Sequence, residues 1–95
     1  MGIEYRIRFQ EKHSDLDDQI RRLRFFVGFD APNRLYLLRS DSDAGGIIPN
    51  GWASIESDGL YFCDNGGTPS DRATLFRAMI DLALQQSQKI EIEQL

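Results

Sequence analysis

The stretch Trp52–Asn65, WASIESDGLYFCDN, constrains the fold of this chain more than any other. Apolar residues alternate on both sides of Asp58-Gly59, a dipeptide that favours a two-residue hairpin turn because a type I′ turn needs positive φ at both central positions. A turn there pairs Ser57 with Leu60, Glu56 with Tyr61, Ile55 with Phe62, Ser54 with Cys63 and Ala53 with Asp64. Ala53, Ile55, Leu60 and Phe62 then share one face, which reads as core. Trp52, Ser54, Glu56, Tyr61 and Cys63 share the other. A three-residue loop sets Glu56 against Leu60 and mixes the faces, so it is rejected. The hairpin holds the chain's only Trp and only Cys. It is expected inside a sheet, with glycine-rich loops on either side.

The remaining segments supply partners for it. Ile3, Tyr5, Ile7 and Phe9 alternate with Glu4, Arg6, Arg8 and Gln10, the period of a strand with one buried and one polar face. Ser14 caps a helix, with Asp17 three residues on. Leu16, Ile20, Leu23 and Val27 form its buried stripe. Asp15, Asp17 and Asp18 near its start and Arg21, Arg22 and Arg24 near its end complement the helix dipole, and Asp17–Arg21 and Asp18–Arg22 are i,i+4 pairs. The arginine cluster thus has a structural explanation. The stripe predicts helix through about Phe26. The alternative ends it near Arg24 and makes Phe25–Phe29 a strand, which three Phe and one Val favour locally.

Asp30–Asn33 is turn chemistry around Pro32. Arg34–Arg39 is a strand with Leu35 and Leu37 on one face and Tyr36 and Leu38 on the other. Ser40–Gly51 is a long loop. Thr68 as cap, Pro69 at the first helical position and Asp71 at the third open a second helix that runs to about Ser87. Leu75, Phe76, Met79, Ile80, Leu82 and Ala83 give it a wide apolar face. Lys89–Leu95 alternates again and reads as a charged edge strand. Lying antiparallel to the first strand, it sets Glu91 and Glu93 toward Arg6 and Arg8. The order β-α-β-β-β-α-β predicts an α+β protein: a two-layer sandwich of a mainly antiparallel sheet of about five strands, with both helices on one face. It resembles the split β-α-β arrangement with an added strand.

Ninety-five residues make one domain, 1–95. A single cysteine allows no internal disulfide, so a reducing, cytoplasmic setting is expected. The charged, alternating start MGIEYRIRFQ is no signal peptide. No apolar run nears the roughly 20 residues that span a bilayer, and Arg6 breaks the myristoylation pattern after Gly2. A formal net charge of −4 opposes nucleic-acid binding.

No motif carries chemistry. Asp41, Asp43 and Gly46 match the start of an EF-hand loop, but Gly45 and Trp52 stand where further ligands belong. Cys63 with His13 would be a nucleophile and base, yet a mid-strand cysteine reads as a small hydrophobe. Gly66-Gly67-Thr68 lacks the lysine and spacing of a phosphate loop. GLYFCDN lacks the basic, glycine-interrupted pattern of an RNA-binding sheet. No catalytic residue, metal ligand or cofactor is assigned. The expected function is a non-catalytic protein-binding module, such as an inhibitor, immunity-type or accessory protein. Its aromatic sheet face would be built from Trp52, Tyr61, Tyr36 and Leu38 and rimmed by Glu56. The competing expectation covers that face with Phe25–Phe29 or the Ile47-Ile48-Pro49 segment. The alternative function is a ligand-binding or enzymatic site under residues 40–51. Monomer and homodimer both fit, because either terminal strand can pair across a dimer.

Overall fold

A computed structural model of the chain describes residues 2–9, 15–40, 49–66 and 69–95. The elements are β1 (Ile3–Phe9), α1 (Leu16–Arg21), β2 (Phe26–Asp30), β3 (Leu35–Leu38), β4 (Gly51–Glu56), β5 (Gly59–Asp64), α2 (Pro69–Gln86) and β6 (Ile90–Gln94). The strands form one sheet in the order β2-β3-β4-β5-β1-β6, and every neighbouring pair is antiparallel. The α+β class is as expected, with six strands where about five were predicted. Because β1 lies between β5 and β6 and opposes both, β5 and β6 run parallel. α2 joins them in a split β-α-β unit.

The extra strand is the Phe25–Phe29 segment. α1 stops at Arg21 instead of continuing to Phe26. The amides of Leu23 and Phe26 then bond to the carbonyls of Ile20 and Leu23, turning the chain into β2. The register slips between Phe26 and Gly28, so Val27 is the bulged residue. Phe26 pairs with Leu38 and Phe29 with Tyr36. A spacing of three would send two strand residues to opposite faces; the bulge brings both phenyl rings to one face and tips Val27, expected in the core, outward to 47 % exposure. The rings of Phe26 and Phe29 lie 6.4 and 4.9 Å from that of Tyr36. Packing two aromatics on a third outweighs one more helical turn.

The hairpin register also differs from expectation. Glu56 pairs with Gly59, Ile55 with Leu60, Ala53 with Phe62 and Trp52 with Cys63. The two-residue loop is therefore Ser57-Asp58, and neither residue has positive φ. A two-residue slip preserves the side-chain period, so the face assignment survives the error in the turn.

One buried cluster joins the helices to the sheet. It contains Leu16 and Ile20 of α1 and Leu75, Met79, Leu82 and Ala83 of α2. With them are Ile7, Phe9, Tyr36, Leu38, Ala53, Leu60 and Phe62, all from a single sheet face. Burying a side chain such as Phe62 or Ile7 stabilises by about 1.5–3 kcal/mol. The helices meet where the buried Gln86 donates to Gln19 at 2.8 Å. Glu91 and Glu93 lie opposite Arg8 and Arg6, as the alternation of both terminal strands predicted.

Candidate functional site

The ladder sorts the proposed binding residues onto two faces. Tyr36 pairs with Ala53 and Leu38 with Gly51, so both belong to the core face. Leu38 is fully buried and Tyr36 is 5 % exposed, which removes them from any surface. The neighbour of Trp52 is instead Leu37, with Leu35 two residues away on the same side. Both faces of β3 are apolar, so its own residues do not set the parity. The parity is set where the Asn50 amide bonds to the Leu38 carbonyl and starts the β3–β4 ladder. Leu35 and Leu37 had no local signal that would have selected them.

The Trp52 face therefore carries Leu35 and Leu37 of β3, Trp52, Ser54 and Glu56 of β4, and Tyr61 and Cys63 of β5. Glu4, Arg6 and Arg8 of β1 and Glu91 and Glu93 of β6 complete it. It divides into two halves. On the β1 side, Arg6 Nε donates to Glu56 Oε1 at 3.1 Å across the width of β5. Arg8 reaches Asp58 at 3.4 Å and Glu93 at 3.3 Å. Tyr61 donates its hydroxyl to Glu4, and burial first, that bond second, push the phenol pKa well up. These pairs are exposed or half-buried, so each adds at most about 1 kcal/mol while fixing where the charges sit. On the β3 side, Leu35, Leu37 and Trp52 are half-buried. None of the three belongs to the core cluster or packs against it.

Cys63 lies between the halves and is 4 % exposed. Gly2 covers it: a Cβ on Gly2 would stand 2.3 Å from the sulfur. Burial pushes the thiol pKa up, the opposite of what an activated nucleophile needs. His13, its conjectured base, lies outside the described residues.

Other candidates are accounted for by the fold. Arg21 stands 4.9 Å from the Phe29 ring centre and 5.7 Å from those of Phe26 and Tyr36, and it pairs with Asp17 at 3.1 Å. Arg22 pairs with Asp18 at 2.8 Å. Asp64, 5 % exposed, accepts from the Gly66 amide and faces Arg72 at 3.4 Å, beside the start of α2. Ser40 and Asn50 clasp each other: Ser40 donates its amide to Asn50 Oδ1 at 3.1 Å, and Asn50 Nδ2 donates to Ser40 Oγ at 3.0 Å. Asp41 and Asp43, the expected caps Ser14 and Thr68, and Ile47-Ile48 of the segment expected over the Trp52 face lie outside the described residues; the residue that precedes α1 as its cap is Asp15. Among the described residues no group of three His, Cys, Asp or Glu side chains is placed to hold a metal. No helix among them is long and apolar enough to cross a membrane.

Comparison with protein-family models, with curated proteins and with solved structures found no match.

Proposed function

We propose that this chain is a non-catalytic protein-binding module whose Trp52 face docks the partner. The observation that supports the reading is the apolar half of that face. Leu37 and Trp52 are ladder neighbours with Leu35 beside them, and none of the three is used by the core. Tryptophan is the side chain most enriched at binding hot spots. The adjoining lattice of Arg6–Glu56, Arg8–Asp58 and Tyr61–Glu4 gives a polar rim of both signs, which orients a partner more than it holds one. The partner is thus a protein surface with an apolar centre and a rim of both charges. The sealed thiol of Cys63 favours binding over nucleophilic catalysis, and a lone unpaired cysteine suits a reducing compartment.

A photo-crosslinking residue tests this when placed at Leu37, and as a control at Arg77 on the exposed side of α2. The reading expects a discrete protein adduct from position 37 in the native host, lost in a Trp52→Ala background whose circular dichroism is unchanged. Identical adducts from both positions, or an adduct indifferent to Trp52→Ala, would end it.

A further inference from the structure

The two edges of the sheet are built differently. β2 carries the Val27 bulge and a broken register, a device that discourages strand addition. β6 pairs with β1 without interruption from Ile90 to Gln94, and among the described residues no strand lies beyond it. The Leu95 amide donates to the Glu4 carbonyl at 2.8 Å. Antiparallel pairing alternates, so Glu91, Glu93 and Leu95 turn their backbone groups toward β1, while Ile90, Ile92 and Gln94 turn theirs outward. Such a row of outward amides and carbonyls is a template for another strand.

The side chains specify which strand fits. Ile90 and Ile92 lie on the core face, and Ile92, opposite Ile7, is 46 % exposed. On α2, Phe76 and Ile80 follow one another at i,i+4 spacing and are half-buried. Phe76 stacks 4.5 Å from Tyr5, whose β6 neighbour is Gln94. That flank of the helix therefore lies over β1, the strand next to β6. An added strand would lay apolar side chains beside the exposed Ile92.

On the opposite face β6 presents Glu91 and Glu93. A second copy of β6 is a mixed fit: pairing Ile90 with Ile92 sets Glu91 against Glu91 while Lys89 meets Glu93, and a register centred on Ile92 sets Glu91 against Glu93 twice. What β6 accepts is already visible in β1, which offers apolar residues alternating with Arg6 and Arg8 opposite Glu93 and Glu91. A strand with basic residues at those positions meets both carboxylates and so fits better than a second β6.

We propose that the free edge of β6 adds, antiparallel, an extended segment of another protein in which Lys or Arg alternates with apolar residues. This does not rest on the Trp52 face. The probe is an acetylated, amidated peptide of alternating Arg and Val, titrated into the isotope-labelled protein. The amides of Ile92 and Gln94 are expected to shift and to exchange with solvent about tenfold more slowly or better, and an isomer with Arg and Val in separate blocks to bind about tenfold more weakly. Ile92→Pro removes one outward N–H at an edge that tolerates proline. It abolishes binding while circular dichroism and Trp52 fluorescence stay native. A peptide N-methylated at its valines, whose amides face β6 in this pairing, fails as well and needs no variant. Equal binding by the blocked isomer, or undiminished binding by the N-methylated peptide, overturns the proposal.

Discussion

Gly59 lies against the backbone of Ile7: a Cβ built on Gly59 would stand 1.9 Å from the Ile7 carbonyl oxygen and 2.9 Å from the Arg8 Cα. The φ of Gly59, +157°, is also one that side-chain-bearing residues rarely adopt. The contact is with main chain, so no rotamer change relieves it. The glycine is required by the approach of β1 to β5, while the turn itself is formed by Ser57-Asp58. Gly59→Ala is therefore expected to destabilise by about 3 kcal/mol or more, at the upper end of overpacking effects. Asp58→Asn, in the loop proper, should stay within about 0.5 kcal/mol, since it is a surface change. Urea unfolding of the two variants measures both. Equal midpoints would show that the β1–β5 contact does not need glycine.

Tyr36 donates its hydroxyl to Asp17 at 2.5 Å, tying the core face of β3 to the first turn of α1. Burial first, then this bond, push the tyrosine pKa up to about 12. The bond from Tyr36 first, then that from Arg21, hold Asp17 below its ordinary value. The raised group stabilises the fold fully below the unfolded tyrosine value near ~10, and that contribution is lost as pH rises through about 12. The depressed group stabilises above the unfolded aspartate value near ~3.9, and its contribution is lost as pH falls below that. Tyr36→Phe should cost about 0.5–1.5 kcal/mol at neutral pH, the net worth of one hydrogen bond. It should also flatten stability against pH at both ends. Denaturant midpoints at acid, neutral and alkaline pH check this; a variant curve merely parallel to the wild type would remove the coupling.

The bulge in β2 separates two residues that sequence alone treats alike. Val27 sits on the helical stripe predicted from Leu16, Ile20 and Leu23, yet it is 47 % exposed. Phe29 packs 4.9 Å from Tyr36. Val27→Thr should therefore change stability by less than about 0.5 kcal/mol. Phe29→Ala should cost about 3 kcal/mol, the lower end for aromatic truncation because the site is only partly buried. Thermal or urea unfolding tests the contrast. A large loss at Val27 would restore the helical reading of the segment.

The strands legible in the sequence were those with one strict period. β1 and β6 alternate apolar with charged residues, and from that alternation Glu91 and Glu93 were expected to face Arg6 and Arg8, as they do. α2 was legible from Pro69 and its wide apolar face. Phe25–Phe29 was not, because local propensity and the helical stripe pointed opposite ways and a tertiary contact with Tyr36 decided between them. Half of the candidate face was legible, since Trp52, Glu56, Tyr61 and Cys63 share a face under any even slip of the hairpin. Tyr36 and Leu38 were misplaced because β3 is apolar on both sides. Only its pairing with β4 chooses Leu35 and Leu37.

Cys63 bears on whether the Trp52 face could carry nucleophilic chemistry. It stands opposite Trp52, Gly2 lies against its sulfur, and it is 4 % exposed. Burial also raises its pKa, so the reactive thiolate is scarcer at neutral pH than for a free cysteine. Reaction with an aromatic disulfide reagent then has to wait for opening of the chain around Gly2. The native protein should label about 100-fold more slowly than the urea-unfolded chain, a protection of about 3 kcal/mol for that opening. Truncating the chain before Ile3 should raise the native rate while leaving the unfolded rate unchanged. Native labelling as fast as the unfolded rate would mean that the thiol is open and would return Cys63 to the list of candidate nucleophiles.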